Sequence, residues 1–303
     1  MFGLTQYFSL YDLWSPLLLL SAVLVIILYL GLTGIYRNQF IGSAPVPLKR
    51  KIMFIIGILL LYLAQGGPIY MMSHMMFTFH MILMSITYII VPPLLLLGIP
   101  GWLWRFLLER AWLKKLLPLT HPILCAVMFN AFFSIYHVPD VHDFLMTNYA
   151  AHISYYVLLF VTALLMWWPV VNPVQAWTQI ADVKKMGYIF LNGVLITPAC
   201  ALIIFASDPL YATYSDKDAW IEAMGYCITG DPAVVLASFD GPQFFNWFNV
   251  VEDQQLGGII MKLVQEIVYG LILAYVFKQW FTREGKDDDD FVASTPKERL
   301  NEV

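Results

Sequence analysis

Long apolar runs constrain this chain more than anything else in it. Crossing about 30 Å of hydrocarbon as a helix takes roughly 20 apolar residues. Seven stretches approach that length, at about 15–36, 50–67, 74–98, 121–138, 149–171, 185–206 and 253–281. With 60% hydrophobic and only 13% charged residues, a soluble fold is excluded, because too little polar surface would remain to cover it. The expected fold is all-α: a polytopic membrane protein built as a seven-transmembrane-helix bundle. The opening MFGLTQYFSLYDLWSP has neither a basic leader nor a small-residue cleavage site, so the first run is expected to stay as an anchor.

Lysine and arginine orient the bundle, since positive residues are retained on the cytoplasmic side. Fifteen of the seventeen fall on one side, in or at the edges of the segments that follow runs one, three, five and seven, leaving Lys217 opposite and Lys262 well inside the last run. This places the N-terminus outside and the C-terminus in the cytoplasm. Residues 1–283 then form the membrane domain. The segment 207–252 is acidic and rich in Pro, Gly and aromatics, and is expected to form an ordered extracytoplasmic cap with a helix near 218–226. The tail 284–303, with four consecutive aspartates and no periodicity, is expected to be disordered.

In that topology five of the six histidines gather toward the outer leaflet on three consecutive runs: His74, His80, His137, His142 and His152. Only His121 lies at the cytoplasmic side. Ionisable groups inside spans are costly and are candidates for function. Sulfur accompanies them: YMMSHMMFTFHMILM, residues 70–84, holds six of the fourteen methionines. On a continuous helix His74 and His80 point about 120° apart and lie about 9 Å apart along the axis. Met71, His74 and Met81 would then share one face, and Met76, His80 and Met84 the next. His137, His142 and His152, in FSIYHVPDVHDFLMTNYAAH, can converge on one corner through a proline-stopped helix, with His142 on a solvated loop.

Thioether with imidazole suits Cu(I), whereas Mg or Ca would call for oxygen ligands. Copper is therefore the metal expected, with His74, His80, His137, His152 and His142 as ligands. Met71, Met75, Met76, Met81 and Met84 would supply soft ligands or a transfer path. The bland reading is that the methionines are packing material and the histidines are hydrogen-bonded across helices. Paired axial histidines could instead hold haem, but the bulk of YMMSH and FTFH ranks haem below copper. Asp140, Asp143 and the acidic segment would concentrate cations by focusing.

The last run opens EDQQLGGIIMKLVQEIVYG, bringing Asp253 and Gln254 into the membrane. Gly257 and Gly258 would let another helix approach closely, and Lys262 with Glu266 forms a buried i, i+4 pair. Pro92 and Pro93 should kink the third run. Cys125, Cys200 and Cys227 include no CxxC pair and read as small buried hydrophobes. No hydrolase, phosphate-loop or dinucleotide motif is present, and a net charge of −4 without a basic stripe gives no case for nucleic acid.

The ordered blocks QGGPIYMMSHMMFTFHMILMSITYIIVPPLLLLGIP, VMFNAFFSIYHVPDVHDFLMTNYAAH, MWWPVVNP, KKMGYIFLNGVLITPACALIIF and DQQLGGIIMKLVQEIVYG resemble CtaG, the multi-span cytochrome c oxidase assembly factor family of Gram-positive bacteria. The likeness covers roughly residues 10–283. It implies a non-enzymatic protein of the bacterial plasma membrane. Such a protein helps to mature a haem-copper oxidase and has oxidase subunits or their intermediates as partners; self-association is left open. His74, His80, His137, His142 and His152 fall in matching blocks, as do Asp253, Gln254 and Met261. The expected function is oxidase assembly with copper held or passed at the outer face. The rivals are a copper permease with Lys262 and Glu266 as inner gate, and a metal-free scaffold.

Overall fold

The computed structural model describes residues 4–108, 110, 115, 117–174, 180–229, 231–237 and 239–294, and these contain only helices, turns and connecting coil. The principal helices are α1 (Leu10–Trp14), α2 (Pro16–Thr33), α3 (Leu48–Gln65), α4 (Pro68–Ser73), α5 (Phe77–Met84), α6 (Val91–Gly98) and α7 (Gly101–Leu108). They are followed by α8 (Pro122–Tyr136), α9 (Pro139–Thr147), α10 (Tyr149–Val171), α11 (Asp182–Ile204), α12 (Lys217–Met224) and α13 (Val250–Ser294). Proline opens α2, α4, α8 and α9, where its missing N–H costs no intrahelical hydrogen bond.

Five stretches are long and apolar enough to cross a membrane: Leu10–Thr33, Phe77–Gly98, Tyr149–Val171, Asp182–Ile204 and Val250–Thr282. Helices α8 and α9 meet at 79° and make a sixth if counted as one broken span. The second expected run is α3, which begins Leu-Lys-Arg-Lys. Its uncharged part, residues 52–65, spans only about 21 Å at 1.5 Å per residue, short of a full crossing. Leucines and isoleucines of α2 and α13, among them Leu17, Leu24, Ile27, Leu263, Ile267 and Leu271, point outward, as lipid-facing residues do.

The third run, expected over about 74–98, is found as Phe77–Gly98, but the unbroken helix expected to hold residues 71–84 does not form. Helix α4 ends at Ser73, Met76 is extended (φ −131°, ψ 127°), and a new helix starts at Phe77. The cause lies far away in sequence: the Asp253 carboxylate accepts the N–H groups of Phe77 at 2.6 Å and Thr78 at 3.3 Å, capping α5 from another helix. The Thr78 hydroxyl donates to the Asp253 carbonyl at 3.0 Å. The methionine faces drawn on an unbroken helix therefore do not form. Met71, Met75 and Met76 pack with Trp220, Met224 and Cys227, while Met81 and Met84 belong to the main core between the helices. Downstream, a π-helical stretch, Ser85–Ile90, in which the Val91 N–H reaches back to the Ile86 carbonyl, precedes Pro92 and Pro93, which lack amide donors.

The glycine pair acts as expected. A Cβ on Gly257 would meet Phe77 Cδ1 at 2.8 Å and the Phe77 carbonyl oxygen at 3.1 Å, so α13 lies directly against α5 there. Gly258 faces the other way, where a Cβ would meet Ile204 at 2.8 Å on α11. Helix α13 continues to Ser294, so the first part of the tail expected to be disordered has helical backbone; extending an existing helix needs no new nucleus. Residues 295–303 lie outside the described residues.

Candidate functional site

Five histidines converge at one end of the bundle. His74 caps the C-terminus of α4, His80 lies on α5, His137 caps α8, His142 lies on α9 and His152 on α10. None is more than 2% exposed. This corrects the expectation for His142: it lies on a helix, and is fully buried because residues 207–252 fold over it. His121 is exposed at the opposite end of α8.

The imidazoles form two groups. The His80 ring centre is 5.2 Å from that of His142 and 6.1 Å from that of His137; His74 and His152 are 5.9 Å apart. Phe133 and Tyr70 supply backbone carbonyls at 2.7 Å from His137 Nδ1 and 3.1 Å from His74 Nδ1. A carbonyl can only accept, so Nδ1 carries the proton in both rings and Nε2 is left with its lone pair. Both Nε2 atoms are buried without a hydrogen-bond partner, as are both ring nitrogens of His80 and His142, while His152 is buried beside the Leu145 backbone. His142 Nδ1 comes no closer than 3.6 Å to Asp143, whose carboxylate is taken up by the Ala212 N–H and by the Thr213 N–H and hydroxyl.

Aromatic rings wall this cluster. Tyr136 stacks on His80 with centres 5.6 Å apart and planes 6° apart, and Tyr211 lies 4.4 Å from His142. The hydroxyl of Tyr211 donates to the His137 carbonyl at 2.9 Å, and that of Tyr214 to the Ser73 carbonyl at 2.6 Å. The segment 207–252, whose helix α12 buries Trp220, is thereby tied to both histidine-bearing breaks. Sequence reasoning missed Tyr136, Tyr211 and Tyr214. Only the position of Tyr136 beside His137 hinted at a role. Asp143, read there as a cation-focusing charge, instead anchors residues 212–213.

Metal geometry can be tested on these spacings. A ligating nitrogen lies about 2.0–2.1 Å from a first-row metal and about 1.1 Å from its own ring centre, so two imidazoles on one ion have centres about 5.1 Å apart at a tetrahedral angle and about 6.3 Å apart when collinear. The three recorded pairs fall in this interval. Among the described residues, no group of three His, Cys, Asp or Glu is arranged to hold one ion. Pairs, not a closed site, are what the backbone provides.

The family described as cytochrome c oxidase caa3 assembly factor (CtaG) matches residues 27–283, most of the chain. The chain belongs to this family. No curated protein and no solved structure matches it. The match bears out the resemblance seen in the sequence blocks and identifies a membrane-embedded CtaG protein whose family serves oxidase assembly. All five buried histidines lie inside the matched region, as does Asp253.

The remaining polar groups of the last helix lie elsewhere in this CtaG chain. Gln254 Oε1 accepts the Leu210 N–H at 2.8 Å, joining α13 to the start of the covering segment. Lys262 pairs with Glu266 at 2.7 Å and also donates to Gln265 and Thr197. The pair forms, but it is not buried as expected, because the Glu266 side chain is 59% exposed on the outer flank of α13. The three cysteines are buried and unbonded to one another.

Proposed function

We propose that this protein is a non-enzymatic assembly factor of the bacterial plasma membrane that holds copper(I) on paired histidines and passes it toward the caa3 oxidase. Its bundle crosses the membrane seven times, with the bent α8–α9 pair making one crossing and α3 another, the long side chains of Lys49, Arg50 and Lys51 carrying their charges to the interface and so making up for its short apolar part. The basic residues then keep the histidine end outside. The observation that carries the copper reading is the concentration of buried ring nitrogens without hydrogen-bond partners on five converging histidines. A buried polar atom left unsatisfied costs about 1–3 kcal/mol, which a fold does not accumulate in one place without return. Neutral imidazole lone pairs suit a copper ion, and few-ligand sites suit a cargo that must leave again.

His74, His80, His137, His142 and His152 are the ligand set. Met71, Met75 and Met76, beneath the covering segment, are the soft groups through which copper would approach; Met81 and Met84 lie deeper in the core. Haem is less well matched, because Tyr136 and Phe77 pack against His80 and Tyr211 against His142, filling the space that a porphyrin would need. A permease would use Lys262 and Glu266 as an inner gate, and their position on the exposed flank weighs against it. The test is the copper content of purified protein loaded under reducing conditions, compared with a variant carrying His74→Ala and His80→Ala. Copper should fall in the variant; equal copper in both samples would remove the histidine assignment, and no copper in the parent would leave the metal-free scaffold as the better reading.

A further inference from the structure

A second feature of the histidine end goes beyond the copper reading and shares only His152 with it. A cavity of about 500 Å³ opens on the side of the bundle between α2, α3, the π-helical stretch and α10. Its deep wall carries His152, Gln65, Thr87, Tyr88 and Tyr156. Its mouth is formed by Leu18, Ile153 and Val157, each at least 43% exposed on a helix long and apolar enough to cross the membrane, so it opens toward lipid. The volume is that of a small-molecule site, and the lining divides into a polar end and an apolar entrance.

The chemistry of the polar end narrows the ligand. Among the described residues no lysine, arginine or carboxylate lines the cavity, so none of them would neutralise a phosphate or an ammonium head group. What it offers is neutral: phenol hydroxyls, the Gln65 amide bonded to the Thr87 hydroxyl at 3.0 Å, and the buried His152 imidazole, one side of which faces the Leu145 backbone and leaves the other nitrogen for a ligand. The tyrosines give flat faces against which a ring can stack. We infer that this cavity binds a membrane-dissolved amphiphile with an uncharged, oxygen-bearing aromatic or quinonoid head, of the isoprenoid quinone class. The head hydrogen-bonds His152, and the prenyl tail leaves between Leu18 and Val157.

The experiment titrates purified protein, held in nanodiscs free of quinone, with decylubiquinone and follows quenching of intrinsic fluorescence. Saturable binding is expected in the parent protein. Val157→Trp fills the mouth without touching an imidazole and should weaken binding at least tenfold while leaving copper content unchanged. His152→Phe should weaken binding comparably by removing the hydrogen-bonding ring. Should Val157→Trp disturb folding, judged by its melting temperature, Ile153→Trp serves in its place. Absence of saturable binding, equal binding in parent and variants, or equal displacement by phosphatidylglycerol would each overturn the assignment. Because the mouth variants keep every histidine, loss of quinone binding and loss of copper are read separately.

Discussion

The carboxylate of Asp253 accepts the backbone N–H of Phe77 at 2.6 Å across 176 residues of chain, and this contact starts the helix that carries His80. Hydrogen bonds to a carboxylate are worth about 1.5–3 kcal/mol each, more when the alternative is an unsatisfied amide in an apolar interior. Asp253→Ala should therefore destabilise the protein by about 2–4 kcal/mol. Asp253→Asn keeps one acceptor oxygen and should cost less. Thermal melting in detergent checks both; an alanine variant as stable as the parent would mean that the helix break is held by something else.

Gly257 predicts a second graded series. Its missing Cβ would sit 2.8 Å from the Phe77 ring and 3.1 Å from the Phe77 carbonyl, and backbone cannot move aside as a side-chain tip can. Gly257→Ala should cost about 1–3 kcal/mol, as overpacking commonly does, and Gly257→Val more. Gly270, on the same helix with nothing within 4 Å of its would-be Cβ, is the control, and Gly270→Ala should leave the melting temperature unchanged or raise it.

These two residues also show what could be read before folding. The apolar runs were legible because hydrocarbon thickness dictates their length, and Gly257 was legible because small residues in spans mark close approach. The gathering of histidines at one end followed from the basic residues alone. The break at His74–Met76 was not legible: its cause, Asp253, is distant in sequence, and an unbroken apolar run looks the same with or without a cap supplied by another helix. His142 was misread for a related reason, since its burial comes from Tyr211 and Tyr214 on a segment with no helical period to place it. Lys262 and Glu266 were rightly paired by their spacing, but spacing does not reveal which side of a helix meets lipid.

Tyr211 and Tyr214 give the covering segment an alkaline limit. Burial pushes both phenols well above their ordinary pKa, and the nearby Asp143 carboxylate adds to the shift in each; Tyr156 and Asp253 also raise Tyr214. In the unfolded chain a tyrosine ionises near pH 10. A group whose folded pKa is raised contributes its stability in full below the unfolded value and loses it as pH climbs toward the folded one. The segment 207–252 should therefore stay closed through neutral pH and loosen above about pH 10. Limited proteolysis across pH 7–11 should show cleavage there rising only at the alkaline end. Tyr214→Phe, which cannot donate to Ser73, should be cleaved sooner at every pH; equal protection of parent and variant at neutral pH would refute the tether.

The two histidine groups predict how copper is counted. If each of the two histidine groups is a separate few-ligand site, reduced protein should take up about two equivalents of silver(I), a redox-inert stand-in for copper(I). Replacing His74 and His152 together by alanine should remove one equivalent and leave the other. Replacing His80, which stands between His137 and His142, should remove the second, since both remaining rings lose their nearest partner. His137 should matter less singly than His80, because His142 lies closer to His80 and offers a nitrogen in its place. Isothermal titration of the four proteins decides the matter. A single equivalent abolished by either change would mean that the five imidazoles move together around one ion. Unchanged uptake in all variants would remove the histidines from metal binding.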